Sequence, residues 1–267
     1  MTSQHQPEIQ PGHVQGLFDL TGKVAIVTGG VSGLGEAIAL GFAQAGCHVV
    51  VADVNESRAE EVLASVALYE RPPTFVKTDV TNRASVEELR RKVTERLDRI
   101  DILVNSAGTA FRSPAEDFPD DQWDRVINLN LRGTFLPCQV IGKQMLAQKA
   151  GSIINLASIG ASRAYPEATA YLQSKGAVAQ LTRSLALEWI DRNVRVNALA
   201  PSIFDTPLVR AADMTRTRTS EFIMARTPIG RRGRPGEIVG PAIFLASGAS
   251  SMVTGHILQV DGGYLSA

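Results

Sequence analysis

The chain has no surplus of either charge, because its 267 residues include 27 Lys and Arg against 27 Asp and Glu. Nucleic acids and anionic membranes are bound largely through clustered cations, so the balance disfavours both as partners. Long apolar runs are also missing: no segment approaches the roughly 18 consecutive apolar residues of a membrane span. The sequence therefore predicts no nucleic-acid partner and no membrane partner.

Cysteine is scarce, with only Cys47 and Cys138, far apart and outside any paired motif. A disulfide framework or a zinc site is therefore not expected. Two small buried thiols fit a reducing compartment, which we expect to be the cytoplasm. His5 and His13 have no third ligand near them, so no metal site is expected in that segment either.

The first 19 residues are rich in Gln, Pro, His and Gly and lack the basic and apolar regions of a signal peptide. We interpret residues 1–19 as a mobile tail and residues 20–267 as one domain. With 44% hydrophobic residues, the chain can bury a sizeable core.

Beyond the tail, short β-rich runs alternate with longer stretches of helical period, which is typical of βαβ units. The predicted strands begin at Lys23, His48, Thr74, Asp101, Ser152, Val194 and His256. The sequence therefore predicts an α/β fold: a single doubly wound Rossmann domain whose seven-stranded parallel sheet carries helices on both faces.

Six helices are predicted between the strands. They span Leu34–Ala45, Ser57–Tyr69, Ser85–Leu97, Asp121–Ala147, Ala168–Ile190 and Pro235–Ala246. Pro137 cannot donate its backbone hydrogen bond, so we expect a bend there in the fourth helix. Residues 200–234 show little periodicity and form a long connection, which favours a lid or substrate loop.

A glycine-rich turn, Thr28 to Gly35, follows the first strand and leads into the first helix. That order lets backbone N–H groups approach a pyrophosphate at a helix N-terminus. Asp53 ends the second strand, at about the separation expected of the acid that binds the adenosine ribose, and its charge would repel a 2′-phosphate. The sequence thus favours NAD over NADP, and Arg58, inside the next helix, is poorly placed to reverse that choice.

Tyr171 and Lys175 are four residues apart on a predicted helix, so both side chains lie on one helical face. A neighbouring ammonium favours the phenolate and makes tyrosine a usable acid/base. Tyr165 has no such partner, because Thr169 stands four residues after it. Ser158 and Asn105 close predicted parallel strands, at the edge where ligands bind. Asn130 lies inside a predicted helix.

These motifs together resemble the short-chain dehydrogenase/reductase family, over essentially residue 20 to the C-terminus. The resemblance rests on Thr28 to Gly35, Asp79, Asn105-Ser106-Ala107-Gly108, Asn130, Ser158, Tyr171 with Lys175, and Val260-Asp261-Gly262-Gly263.

The resemblance implies a role for each of these residues. Tyr171 would exchange a proton with the substrate oxygen, Ser158 would hydrogen-bond that oxygen, and Lys175 would lower the pKa of Tyr171 and hold the nicotinamide ribose. Asn130 would anchor a water that connects Lys175 to solvent. The implied cofactor-binding residues are Gly29, Ser32, Gly33, Leu34, Gly35, Asp53, Asp79, Val80, Asn105, Ala107, Gly108, Tyr171, Lys175, Pro201 and Thr206. No metal is implied, because side chains transfer the proton and the nicotinamide cofactor transfers the hydride.

Two positions depart from the family pattern. Ser106 stands where the family usually has a second asparagine. Ser202 stands where the family has glycine after Pro201, and a non-glycine residue there restricts the backbone beside the nicotinamide.

Within the family the chain looks most like sugar-acid and polyol dehydrogenases of the gluconate 5-dehydrogenase and 2-deoxygluconate 3-dehydrogenase kind. Arg112 and Arg163 are candidates to bind a substrate carboxylate. An NADPH-dependent 3-oxoacyl-carrier-protein reductase shares every motif, although Asp53 argues against it, and a dinucleotide-sensing scaffold is the non-enzymatic alternative. The resemblance also implies a homotetramer, with the helices from Asp121 and Ala168 as interface surfaces.

Overall fold

The computed structural model describes residues 13–65, 71–214 and 218–267. Seven parallel strands form one sheet in the order β3-β2-β1-β4-β5-β6-β7. The strands are β1 (Val24–Thr28), β2 (His48–Asp53), β3 (Thr74–Lys77), β4 (Ile102–Asn105), β5 (Gly151–Leu156), β6 (Val194–Pro201) and β7 (Ile257–Val260). The predicted doubly wound α/β fold is confirmed.

Helices cover both faces of the sheet. They are α1 (His13–Leu17), α2 (Gly33–Gln44), α3 (Glu56–Ser65), α4 (Arg83–Leu97), α5 (Asp120–Ile127), α6 (Gly133–Gln148), α7 (Thr169–Trp189), α8 (Pro207–Met214), α9 (Arg218–Met224) and α10 (Val239–Ala246). Residues of α2, α3 and α10 share one hydrophobic cluster with the sheet, and residues of α4, α6 and α7 share the other.

The period of two in β1 explains this layering. Ala25 and Val27 belong to the cluster on one face, whereas Val24 and Ile26 belong to the cluster on the other. All five residues of β1 are buried, as expected for a central parallel strand covered on both sides. Cys47 belongs to the cluster on the first face and Cys138 to the cluster on the other. Burial raises the pKa of each thiol to about 12.

The order of the strands determines where a ligand can bind. The strand β1 has β2 on one side and β4 on the other, so the connections that leave β1 and β4 diverge. In open α/β sheets, the crevice at such a reversal is the usual binding site.

Four segments differ from the sequence prediction. The helix predicted from Asp121 is interrupted by a π-helical segment, Asn128–Arg132, and Pro137 lies inside α6 one turn later. The interruption therefore precedes the proline, and α6 continues through Pro137 to Gln148. Residues 200–234 contain two helices, α8 and α9, and are not one irregular loop.

The other two differences concern chain segments that the structure describes only in part. The short helix α1 occupies the end of the segment predicted as a tail, whereas His5 and the side chain of His13 lie outside the described residues. The second predicted helix begins at Glu56 and is described to Ser65, because residues 66–70 are outside the described ranges.

Candidate active site

The glycine-rich turn after β1 brings two backbone segments together. Gly29 has φ +64°, and a Cβ added to it would lie 2.7 Å from the Cα and backbone N of Ala107, which follows β4. A Cβ on Gly35 would collide with the carbonyl oxygen of Gly29. Both positions therefore require glycine, for the close approach and, at Gly29, also for the left-handed conformation.

A cavity of about 350 Å³ opens beside this turn, and we call it the large cavity. Thirteen of the fifteen predicted cofactor residues line it: Gly29, Ser32, Gly33, Leu34, Asp53, Asp79, Val80, Ala107, Gly108, Tyr171, Lys175, Pro201 and Thr206. Gly35 and Asn105 are not among the lining residues. Gly35 packs against the turn, and Asn105 is buried behind the cavity.

Asp53 and Asp79 lie at the end of the large cavity formed by β2 and β3. One oxygen of Asp53 accepts a hydrogen bond from the backbone N–H of Asn55 at 3.1 Å. One oxygen of Asp79 accepts from the backbone N–H and the hydroxyl of Thr81, at 2.8 and 2.7 Å. These bonds orient both carboxylates at the edge of the sheet.

Arg58, the nearest cation after Asp53 in the sequence, is held by other groups. Its Nε donates to the carbonyl oxygen of Val31 at 3.2 Å, and its terminal nitrogens bond to Glu36 at 3.2 Å and to Glu61. The guanidinium therefore lies against the outside of the glycine-rich turn, neutralised by two carboxylates.

Asn105 belongs to a buried polar network behind the large cavity. Its Nδ2 donates to Asn155 Oδ1 at 2.9 Å and to Cys138 Sγ at 3.2 Å, and Asn155 donates in turn to Thr182 Oγ1 at 3.0 Å. The network connects β4, β5 and α7, so it fixes the strand ends beneath the site.

The predicted Tyr171 and Lys175 pair lies on the first turns of α7. Lys175 is buried, and its Nζ donates to the carbonyl oxygen of Leu156 at 2.6 Å. The same Nζ lies 5.7 Å from the centre of the Tyr171 ring. Burial lowers the pKa of Lys175 to about 8, because the charged ammonium is removed from water.

Tyr171 experiences opposing influences on its acidity. Burial raises the pKa of Tyr171, whereas a hydrogen bond with Ser158 and the positive charge of Arg112 lower it. We expected the lowering charge to come from Lys175, but the cation that opposes burial here is Arg112. Its guanidinium carbon lies 5.3 Å from the Tyr171 ring centre.

Asn130 is fully buried in the π-helical segment, and its side chain has several partners. Its Oδ1 accepts from the backbone N–H of Thr109 at 2.8 Å, and its Nδ2 donates to the Thr109 carbonyl at 2.9 Å and to Ser174 Oγ at 3.0 Å. A Cβ on Gly108 would lie 3.1 Å from Asn130 Oδ1 and 3.9 Å from Lys175 Nζ. The amide therefore ties the segment after β4 to α7 beside the lysine.

A second cavity of about 70 Å³, the small cavity, adjoins the tyrosine on its other side. Ser158, Tyr165, Tyr171 and Arg112 line it. Arg112 lies between the two tyrosine rings, and its Nε and one terminal nitrogen are buried without a hydrogen-bond partner. By contrast, Arg163 is exposed and is not among the residues that line this cavity.

The segment after β6 closes both cavities. Thr206 is buried, and its Oγ1 accepts a hydrogen bond from the backbone N–H of Val209 at 3.4 Å, in the first turn of α8. Leu208 and Val209 line both cavities, and Ile223 of α9 lines the small one. We did not predict these three apolar residues, although Thr206-Pro207 is a helix-start signal that could have revealed α8.

Two further observations bear on the sequence predictions. Within the described ranges, no group of three His, Cys, Asp or Glu side chains is arranged to hold a metal ion. None of the helices described is long and apolar enough to cross a membrane.

A family model described as enoyl-(acyl carrier protein) reductase matches residues 29–265. An NAD-dependent glycerol dehydrogenase from Listeria innocua is 38% identical over 92% of this chain and 95% of its own. A D-threitol dehydrogenase from Mycolicibacterium smegmatis is 41% identical over 92% of this chain and 94% of its own.

A solved structure of a gluconate 5-dehydrogenase from Burkholderia cenocepacia, in complex with NADP and tartrate, superimposes with a TM-score of 0.89. It is 37% identical, and the match covers 96% of this chain and all of the other. The chain thus belongs to the short-chain dehydrogenase/reductase family, and it is an oxidoreductase of alcohol and ketone groups.

Proposed function

We propose that the protein is an NAD(H)-dependent dehydrogenase of a small polyhydroxylated compound, namely a sugar, sugar acid or polyol. The reaction moves hydride between the nicotinamide and a secondary alcohol or ketone, with Tyr171 as acid/base. The observation that carries this proposal is the pair of buried Arg112 nitrogens that have no hydrogen-bond partner, in the small cavity with Ser158 and Tyr171. Positively charged N–H donors without an acceptor suit an anionic or strongly polar substrate.

The large cavity fits a nicotinamide dinucleotide. Its glycine-rich turn leaves no room for a Cβ at Gly29, and Ser32, Gly33 and Leu34 bring the N-terminus of α2 to the cavity wall, where a pyrophosphate is favoured. Asp53 and Asp79 would bind the adenosine end, and Thr206 would bind the carboxamide of the nicotinamide. When bound, the cofactor supplies the hydride acceptor or donor.

The residues around Tyr171 supply the proton chemistry. In alcohol oxidation, Tyr171 Oη accepts the substrate proton, and in ketone reduction it returns that proton. Ser158 Oγ hydrogen-bonds the same substrate oxygen. Lys175 holds the nicotinamide ribose, and Asn130 anchors a water on the route from Lys175 to solvent. Burial of the phenol holds its pKa high, so alcohol oxidation, which needs the phenolate, speeds up as pH rises.

Two observations support NAD as the cofactor. The Asp53 carboxylate lines the large cavity after β2, where it would repel a 2′-phosphate. Arg58 is engaged by Glu36 and Glu61 and is not available to neutralise that phosphate. The related gluconate 5-dehydrogenase was solved with NADP. The proposal of NAD for this chain therefore rests on the local charges of Asp53 and Arg58.

A 3-oxoacyl-carrier-protein reductase is the alternative, and the description of the matching family model favours acyl substrates. The small cavity argues for the polyhydroxylated class, since it combines two unpartnered Arg112 nitrogens with hydroxyl groups. We further propose that residues 20–267 act as one dehydrogenase domain in which 200–234 is the substrate segment, because α8 and α9 line the small cavity.

The buried free thiols suit the cytoplasm, which cell fractionation would test.

Replacing Tyr171 by Phe should abolish turnover, because the acid/base group is lost while the ring and its packing remain. We expect kcat to fall by at least about a thousandfold and NAD affinity, measured by fluorescence titration, to stay within about twofold. Tyr165→Phe is the matched control, since Tyr165 is also buried beside Arg112. Near-normal turnover by Tyr171→Phe would remove Tyr171 from the mechanism.

Replacing Asp53 by Asn should shift cofactor choice towards NADP, because the amide keeps the shape of the side chain and removes its charge. We expect the ratio of kcat/KM for NADP to that for NAD to rise by about tenfold or more. Glu56→Gln is the control, since it removes an exposed carboxylate that is paired with Lys77 and does not line the cavity. A wild-type preference for NADP would refute the proposed role of Asp53.

Replacing Arg112 by Gln should lower kcat/KM for acidic substrates more than for neutral ones, because the substrate carboxylate loses a positively charged partner. D-gluconate and D-glucitol test this, since they have equal carbon number and only the first is an acid. We expect kcat/KM for gluconate to fall about 10- to 100-fold further than that for glucitol. Arg163→Gln serves as the control, since Arg163 is exposed. Equal losses of kcat/KM on both compounds would show that Arg112 does not bind the carboxylate and acts only through Tyr171.

We also propose a homotetramer that associates through α5, α6 and α7. Trp123 and Phe135 are each 37% exposed, and Leu187 on α7 is 82% exposed, which is unusual for large apolar side chains. Light scattering should give about four times the chain mass of 28.6 kDa, and Leu187→Lys should lower it. A monomeric wild-type protein would contradict the proposal.

A further inference from the structure

Ser202 is the departure from the family pattern that the proposed function leaves unexplained. It follows Pro201 at the end of β6, and its backbone N–H donates to the carbonyl oxygen of Val260 at 3.2 Å. Ser202 is not among the residues with positive φ, so serine is accommodated here without the left-handed strain that would demand glycine. The restriction expected from losing the glycine is therefore conformationally harmless.

Ser202 is half-buried, and its hydroxyl group is in an unusual environment. Its Oγ is buried and has no hydrogen-bond partner. Among the described residues, only Asn105, Arg112 and Ser202 carry buried side-chain polar atoms in that condition. A buried hydroxyl without a partner is unfavourable, and glycine at this position would avoid the cost.

Ser202 lines both the large and the small cavity. Four residues are shared by the two cavities, and of these Leu208 and Val209 are apolar, whereas Tyr171 and Ser202 carry hydroxyl groups. Ser202 therefore lies at the boundary between the large and the small cavity, and it also lines a third cavity beside Gln259 and Gly262. Arg112, the other lining residue with unpartnered atoms, also lines the small cavity.

Two other hydroxyl groups of the small cavity have a hydrogen-bond partner. Thr219 Oγ1 donates to the carbonyl oxygen of Pro166 at 2.9 Å, and Ser158 Oγ accepts from the backbone N–H of Gly160 at 3.1 Å, which leaves the Ser158 O–H for the reacting oxygen. Ser202 thus has the free donor and acceptor capacity that a ligand hydroxyl can use.

We propose that Ser202 Oγ hydrogen-bonds a substrate hydroxyl on the carbon next to the reacting one, and so makes the enzyme selective for vicinal diols and α-hydroxyketones. This inference rests on the proposed function. It assigns a task to the hydroxyl that is distinct from the tasks of Tyr171 and Ser158, which share the reacting oxygen. The carboxamide of the nicotinamide is a less suitable partner for Ser202. Thr206 lines the large cavity but not the small one, and it is the residue proposed to bind the carboxamide.

The test compares two alcohols that differ only in the neighbouring hydroxyl, 2,3-butanediol and 2-butanol. We expect Ser202→Ala to lower kcat/KM for the diol about tenfold and to change that for 2-butanol by less than about twofold. The KM for NAD should stay within about twofold. Where turnover of either alcohol is too slow to follow, its inhibition constant against the best polyol substrate replaces kcat/KM.

Two further variants separate the hydroxyl from packing. Ser202→Gly restores the family residue and should lose selectivity for the diol as Ser202→Ala does. Thr219→Val is the matched control, because it removes a hydroxyl from the same cavity that is already donated to Pro166. It should leave the ratio between the two alcohols unchanged.

Two results would overturn the inference. One is an unchanged ratio of kcat/KM between the two alcohols in both Ser202 variants, whether activity is kept or falls equally on both. The other is a raised KM for NAD with either alcohol. The latter would assign the hydroxyl to the cofactor. A wild-type enzyme that accepts no polyhydroxylated compound would refute the proposed function and this inference with it. If the wild-type enzyme accepts polyhydroxylated compounds and the Ser202 variants show the same ratio between the two alcohols as the wild type, only the inference about Ser202 is refuted.

Discussion

The close contact between Gly29 and the backbone at Ala107 is the constraint on which the site depends. It lies where β1 and β4 run side by side and their following segments diverge, so it forms the floor of the crevice. A side chain at Gly29 would push these backbones apart and separate α2 from the segment that leads to Arg112. The same contact therefore determines the positions of the residues proposed to bind the cofactor and of those proposed to bind the substrate.

The second organising feature is the set of polar groups that burial leaves without partners. Most buried polar atoms in proteins are hydrogen-bonded, and here the exceptions concentrate around the tyrosine. Among the described residues, Arg112 and Ser202 carry three of the four such atoms and both line the small cavity, whereas the fourth belongs to Asn105. The small cavity thus has an unfavourable local environment that a polar ligand would relieve.

Much of this arrangement could be predicted from the sequence. The alternation of strands and helices indicated the fold, and the carboxyl ends of parallel strands meet at one edge, which explains why Ser158, just after β5, lies at the edge that carries the glycine-rich turn. The i, i+4 spacing of Tyr171 and Lys175 was sufficient to place them on one face. These predictions succeeded because each depends on local periodicity or on the topology of the sheet.

The remaining features depend on contacts between distant segments, which leave no local pattern. The influence of Arg112 on Tyr171 arises because the segment after β4 folds back over α7, and Arg58 is captured by Glu36 across the glycine-rich turn. The helices within residues 200–234 were missed because α8 and α9 span only eight and seven residues, which is too short for a helical period to be recognised in the sequence. The interruption at Asn128–Arg132 was not predicted, since the only helix-breaking residue in the sequence there, Pro137, lies within α6.

The π-helical segment also sets the phase of the helix that follows it. A π turn holds one residue more than an α turn, so Trp123 and Phe135, twelve positions apart, are spaced as if about eleven apart, or about three full α-helical turns. The insertion that buries Asn130 beside the lysine thereby aligns two exposed aromatic rings along one side of α5 and α6. Deleting a single residue there would disturb the interior of the site and rotate part of the outer surface at the same time.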